Sequence, residues 1–128
     1  MADETPHVVV VDDEPHLCVA LGRILERGGY RVTTATDGET ALRIIQEDPP
    51  EVILLDLMMP GLDGREVCRR LRDSGIDTRV IYFTARAEAS DPVKVKELRS
   101  EADDFLVKPA TGRQILSKVR KVMEGGSG

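Results

Sequence analysis

The chain has 128 residues, 41% of them apolar and 32% charged, with two cysteines, no tryptophan and a net charge of −5. That is the length of one domain with an ordinary globular composition, and an acidic balance without any lysine or arginine run argues against a nucleic-acid surface. No apolar stretch approaches a membrane span and Met1-Ala2-Asp3-Glu4 is too acidic for a signal peptide, so a soluble, cytoplasmic chain is expected.

Strand and helix patterns alternate five times along the chain. The run Val8-Val9-Val10-Val11 lies in a strand near 7–12 and ends in Asp12-Asp13. A helix over 15–27 follows, with Pro15 where helices favour proline, Leu17, Ala20, Leu21, Ile24 and Leu25 on one face, and Gly28-Gly29 as its stop. The strand near 30–35 alternates in polarity through Tyr30-Arg31-Val32-Thr33-Thr34-Ala35, which marks an edge. A helix over 38–47 buries Ala41, Leu42, Ile44 and Ile45 before Asp48-Pro49-Pro50 ends it.

The third strand, near 51–56, carries Val52-Ile53-Leu54-Leu55 up to Asp56, and a helix over 63–73 with Val67, Cys68 and Leu71 follows Pro60-Gly61. The fourth, near 79–84, runs Val80-Ile81-Tyr82-Phe83 into Thr84. The helix after it, about 91–100, has Pro92 near its start and only Val95 and Leu98 as an apolar stripe, so it should be the loosest element. The last strand, 104–107, ends Phe105-Leu106-Val107 at Lys108-Pro109. The last helix, 112–123, opens with a capping box of Thr111 and Gln114 and buries Ile115, Leu116, Val119, Val122 and Met123.

Strands apolar on both faces suit a parallel sheet covered on each side, and parallel strands need right-handed helical crossovers. The expected fold is α/β: a doubly wound (βα)5, flavodoxin-like three-layer sandwich with a five-stranded parallel sheet in order 2-1-3-4-5. It occupies residues 7–123, between an N-terminal tail at 1–6 and a flexible Gly/Ser tail at 124–128. Cys18 and Cys68, in separate helices without CxxC spacing, read as reduced, half-buried thiols, and His7 and His16 as surface residues.

Ligands of such sheets bind in the crevice outside the carboxyl ends of the strands, so the polar endings of four strands should meet there. Asp56 is the candidate nucleophile, and the turn after it, Leu57-Met58-Met59-Pro60-Gly61, leaves its carboxylate at the crevice floor. Asp12 and Asp13 would lie within a few ångströms of it. Two like charges about 4 Å apart repel by roughly 4 kcal/mol at an effective dielectric near 20, so the cluster calls for a cation or raised pKa values. An all-oxygen donor set suits Mg²⁺. Lys108 supplies a compact positive charge to one phosphoryl oxygen and Thr84 a hydroxyl to another; Pro109 permits a cis peptide that turns the ammonium inward. Asp12-Asp13-Glu14 also reads as a cap run for the first helix, which does not compete with metal binding.

The chain resembles the receiver domains of response regulators in two-component signal transduction, the CheY-like superfamily. The resemblance rests on Val-Val-Asp-Asp-Glu at 10–14, Asp37-Gly38 with Glu39 and Ala41-Leu42, Leu-Leu-Asp-Leu-Met-Met-Pro-Gly-Leu-Asp-Gly at 54–64, Phe-Thr-Ala-Arg at 83–86 and Ala-Asp-Asp-Phe-Leu-Val-Lys-Pro at 102–109. It implies that Asp56 is phosphorylated by a sensor histidine kinase or a histidine phosphotransfer protein. It also implies that Asp13, Asp56 and the Met58 backbone carbonyl ligate Mg²⁺ directly, with Asp12 acting through water, and that Thr84 and Phe105 form a switch pair. The catalytic set is then Asp56, Lys108 and Thr84, in a signalling switch and not an enzyme, which catalyses only its own phosphorylation and slow loss of phosphate. Met58 and Arg86 hold the positions that govern water access to phosphorus, and neither is a water-orienting acid or amide.

The implied output face is the fourth helix, fifth strand and fifth helix, acting on a downstream protein target or an output domain, with phosphorylation-dependent dimerisation as one further outcome and neither nucleic acid nor membrane as a direct partner. Three departures cluster there: Glu101 where the family usually has glycine, Ala110 where it usually has phenylalanine, and an interval from Thr84 to Lys108 about two residues longer than usual. Two rivals stand beside this reading. One is a phosphorylation-independent interaction module on the same fold. The other is a haloacid-dehalogenase-type hydrolase, whose second aspartate would stand at the position of Met58.

Overall fold

The computed structural model describes residues 5–125, without the side chains of residues 86 and 87. Five parallel strands, β1 (His7–Val11), β2 (Arg31–Ala35), β3 (Val52–Asp56), β4 (Arg79–Ala85) and β5 (Asp104–Lys108), form one sheet in the order β2-β1-β3-β4-β5. The helices are α1 (Pro15–Arg27), α2 (Gly38–Glu47), α3 (Gly64–Asp73), α4 (Arg86–Ala89), α5 (Pro92–Glu101) and α6 (Gly112–Met123). The doubly wound order is the one expected. The single turn α4 was not anticipated, and it lies in the interval that the sequence showed to be long. The N- and C-terminal tail positions 1–4 and 126–128 are outside the described residues.

Successive side chains of a strand point to opposite faces, so each central strand feeds two cores. Val8, Val10, Val52, Leu54, Ile81 and Phe83 meet Cys18, Leu21 and Leu25 of α1 and Ile115, Val119 and Val122 of α6. Val9, Val11, Ile53, Leu55, Val80 and Tyr82 meet Ala41, Leu42 and Ile45 of α2, Val67, Cys68 and Leu71 of α3, and Leu98 of α5. Each such aliphatic side chain contributes about 1.5–3 kcal/mol relative to exposure. The helix ends follow their sequence signals. Pro15 opens α1, Gly29 adopts φ +98 beyond its end, and the Thr111–Gln114 capping box starts α6.

Three expectations need correction. Ala20 is exposed, and Cys18, one turn before Leu21 and two before Leu25, takes its place on the buried face of α1. Cys18 and Cys68 are fully buried, not half-buried, and sit in the two different cores, so they remain free thiols. His7 is not on the surface: it begins β1 with 2% exposure and shares a 2.8 Å hydrogen bond between Nε2 and Thr33 Oγ1. Its Nδ1 has no hydrogen-bond partner and lies 3.8 Å from Asp48 Oδ2. Burial, and then the charge of Arg31, hold this imidazole below its ordinary pKa, against smaller opposing effects of Asp48 and Glu51.

Gly64 fixes the loop after β3. An added Cβ would stand 2.4 Å from the Asp56 carbonyl oxygen and 3.0 Å from Leu57 Cα, both backbone atoms, so α3 can begin here only without a side chain. The Gly64 N–H donates to the Leu57 carbonyl at 3.1 Å, and Asp63 caps the helix by accepting from the Glu66 N–H at 3.0 Å.

Two outcomes follow from these placements. Gly64→Ala should lower the unfolding free energy by about 1–3 kcal/mol, read from denaturant titration, because backbone must shift to admit the methyl. The folded chain keeps His7 neutral, whereas the unfolded chain takes up a proton near pH 6.5. The stabilisation is therefore complete above that pH and is lost as pH falls through the depressed folded value. Melting temperatures compared at pH 7.5 and 5.5 should drop more steeply for the wild type than for His7→Val.

Candidate functional site

The carboxyl ends of the parallel strands face one edge, and their terminal residues gather there. Val11 is in register with Leu55, so Asp12, just past β1, stands beside Asp56, the last residue of β3. Asp12 and Asp56 are buried and Asp13 is exposed; one carboxylate oxygen from each lies within 4.8 Å of the other two. Lys108 ends β5 and reaches across the end of β4, placing Nζ 2.9 Å from Asp12 Oδ2 and 3.4 Å from Asp56 Oδ1. Its ammonium also lies 5.1 Å from the centre of the Phe83 ring. The Lys108–Pro109 peptide is cis, as the sequence allowed.

Backbone donors hold both buried carboxylates in place. The Glu14 N–H donates to Asp12 Oδ1 at 3.0 Å and the Met58 N–H to Asp56 Oδ1 at 3.2 Å. Burial, followed by the neighbouring charge of Asp12, pushes the Asp56 pKa up to about 6, against the pull of Lys108 and the Met58 N–H. For Lys108 burial acts downward, yet the hydrogen bond to Asp12 and the charges of Asp56 and Asp12 together raise its pKa, so it remains an ammonium.

Among the described residues, three carboxylates and one ammonium leave two uncompensated negative charges, the complement of a divalent cation. The donors are all oxygen, one of the three carboxylates is open to solvent, and neither cysteine nor histidine joins the cluster among the described residues. That chemistry fits Mg²⁺ and does not fit a closed zinc site.

The other expected residues are placed as follows. Thr84 follows Phe83, the register partner of Asp56, on β4; it is buried, and its hydroxyl donates to the Ala85 carbonyl at 3.5 Å. Phe105 lies on β5 opposite Tyr82, three residues before Lys108 and outside the acidic cluster, with the Arg99 guanidinium 4.7 Å over its ring. The Met58 side chain is 63% exposed at the rim. The Arg86 side chain lies outside the described residues.

A polar knot between α3 and α5 escaped the sequence reading. The Glu101 carboxylate accepts hydrogen bonds from Arg65 and from the buried Tyr82 hydroxyl. The one available signal was the unusual acid at position 101, and without the topology nothing connected it to Arg65.

The sequence profile of the response regulator receiver domain matches residues 8–120. The transcriptional regulatory protein AfsQ1 of Streptomyces coelicolor is 40% identical over 121 residues, which are 94% of this chain and 52% of that protein. The alkaline phosphatase synthesis transcriptional regulatory protein PhoP of Bacillus subtilis is 40% identical over 116 residues, 91% of this chain and 48% of that protein. The receiver domain of Francisella response regulator 1452 superposes with a TM-score of 0.84 at 32% identity, covering 94% of this chain and 98% of that one. The chain spans about half the length of the curated relatives it matches. A profile match over nearly the whole sheet, on a fold shared with solved receiver domains, makes this chain a member of the response regulator receiver domain family of two-component systems, a signalling switch and not a classical enzyme.

Proposed function

We propose that Asp56 is the phosphoacceptor of this receiver domain and that residues 7–123 form its folding unit. The observation that carries the reading is the Asp56 carboxylate at the end of a buried strand, 3.4 Å from the Lys108 ammonium and grouped with Asp12 and Asp13.

An Asp56 oxygen attacks the phosphorus of a phosphohistidine on a sensor kinase or phosphotransfer protein; the O–P bond forms, the P–N bond breaks, and the imidazole leaves. Catalysis of this step is positioning plus charge stabilisation. Lys108 pairs with phosphoryl oxygen as the negative charge moves outward from Asp56, and the Thr84 hydroxyl donates to a second oxygen. A Mg²⁺ ion held by Asp12, Asp13, Asp56 and the Met58 backbone carbonyl would neutralise the remaining phosphoryl charge. Burial and the neighbouring Asp12 charge raise the Asp56 pKa to about 6, and Lys108 favours its ionised, nucleophilic form.

The product carries about −1.5 to −2 charge and new acceptor oxygens. Thr84, drawn toward them, vacates space behind it for the Phe105 ring. Moving such a two-state element from 1:99 to 99:1 takes about 5.5 kcal/mol of differential interaction. The face that reports the change is α5, β5 and α6. Its recipient is a downstream protein or an output domain, a reading supported by the doubled length and the regulatory names of the curated relatives. Cytoplasmic placement belongs to the same proposal; no helix among the described residues is long and apolar enough to cross a membrane.

The phosphorylation-independent module is disfavoured by the intact acid, hydroxyl and ammonium set. The hydrolase lacks its second acid, since Met58 stands there with its side chain turned to solvent. Acetyl phosphate with Mg²⁺ should label the chain, and Asp56→Asn or removal of Mg²⁺ by chelation should abolish labelling; a labelled Asp56→Asn variant would move the acceptor elsewhere. The phosphoryl group should be long-lived. Met58→Asn, which supplies a water-orienting amide, should hasten loss of the label by roughly tenfold, short of the ~10²–10⁴-fold of a true general acid or base.

A further inference from the structure

Charge, more than apolar contact, holds α5 to the domain. Only Leu98 of its ten residues is buried, and Val93 is 67% exposed. Its last residue, Glu101, gathers three elements. The Arg65 Nε–H on α3 donates to the two carboxylate oxygens at 2.9 and 3.1 Å, and Arg65 Nη2 completes the fork. The Tyr82 hydroxyl on β4 donates to Glu101 Oε1 at 3.0 Å, and the Cys68 thiol to the Glu101 carbonyl at 3.4 Å. Glu97, one turn earlier on α5, lies 3.7 Å from the same Arg65 nitrogen. Tyr82 is fully buried, so without Glu101 its hydroxyl would lose the acceptor that satisfies it.

Both arms of this knot end at the phosphoacceptor machinery. Arg65 follows Gly64, whose Cα rests against the Asp56 carbonyl so closely that no Cβ fits between them. Tyr82 precedes Thr84 by two residues on the same face of β4 and stands in register with Phe105. A displacement of the 56–64 loop moves Arg65; a displacement of Thr84 and Phe105 moves the surroundings of Tyr82. One carboxylate serves both donors only while they keep their present separation.

We propose that Glu101 is a latch, tying α5 to the first turn of α3 and to the Tyr82 hydroxyl in the unphosphorylated chain, and opening when a phosphoryl group on Asp56 displaces either donor. The proposal rests on Asp56 as phosphoacceptor. The ionised state it requires is favoured by Arg65 and Tyr82, which hold the Glu101 pKa below the ordinary range. Because the latch stabilises the resting pose alone, weakening it raises the population of the switched pose and with it the apparent affinity for any ligand that selects that pose.

The test uses Glu101→Gln, which removes the charge and keeps the size, and Arg65→Lys, a milder variant that keeps the charge and loses the fork. Beryllium trifluoride with Mg²⁺, a non-covalent phosphoryl mimic, is titrated into each variant, and amide hydrogen exchange of residues 92–101 is followed without it. Both variants should bind the mimic about fivefold more tightly, the lower end of ordinary coupling for half-exposed partners. Amides of α5 should exchange about tenfold faster while those of β1 and β3 are unchanged. Affinity that stays the same or weakens in the folded variants overturns the latch and leaves Glu101 a structural contact only. Absence of Mg²⁺-dependent binding by the wild type overturns the phosphoacceptor reading and the latch's role with it; accelerated exchange in that case still reports the tie between the helices, which separates the two failures.

Discussion

Three carboxylates crowd one edge of the sheet, and a single ammonium stands among them. Asp12 and Asp56 are almost fully buried, and among the described residues the cation in contact with both is Lys108, at 2.9 and 3.4 Å. Such proximity is costly unless counter-charge is supplied, and burial first, then the charge of Asp12, raise the Asp56 pKa. The rest of the molecule is arranged to impose it. Parallel pairing sets the strand ends level, Lys108 at the end of β5 reaches across to both carboxylates, and Gly64 lets α3 begin directly against the Asp56 carbonyl. On the proposed reading, an under-neutralised pocket of this kind would receive a divalent ion and a phosphoryl group together, and would respond when either arrives.

Much of this was legible before any coordinates. Strand runs such as Val8–Val11 and Val52–Leu55 are apolar on both faces, a pattern that only a doubly covered parallel sheet explains, and each ends at a residue suited to the site. Local chemistry marked the helices too: Pro15 and the Thr111–Gln114 box define α1 and α6 to the residue. The edge position of β2 followed from its alternation. These features depend on near neighbours in the chain, and so a reading by periodicity and caps reaches them.

What it did not reach depends on partners far apart in sequence. His7 looked like a polar residue leading into a strand. Its burial is set by Thr33 on β2 and Asp48 after α2, which cover it from elements 26 and 41 residues downstream. The Arg65–Glu101–Tyr82 knot joins positions separated by up to 36 residues, and its members look ordinary one at a time. The turn α4 has only four residues, too few to show a period. Long-range polar pairing leaves no local trace, whereas apolar patterning does.

The two faces hold their helices by different means, and that difference has a mechanical meaning. On one face α1 and α6 bury six side chains against the sheet; on the other, beside well-seated α2 and α3, α5 contributes a single leucine and relies on ion pairs. The first face is held by interdigitated hydrocarbon. On the second, α5 is attached by pairs that can be exchanged one at a time with little hydrocarbon to prise apart, so under the proposed phosphorylation of Asp56 a small change of charge at one carboxylate would reach α5 at little cost.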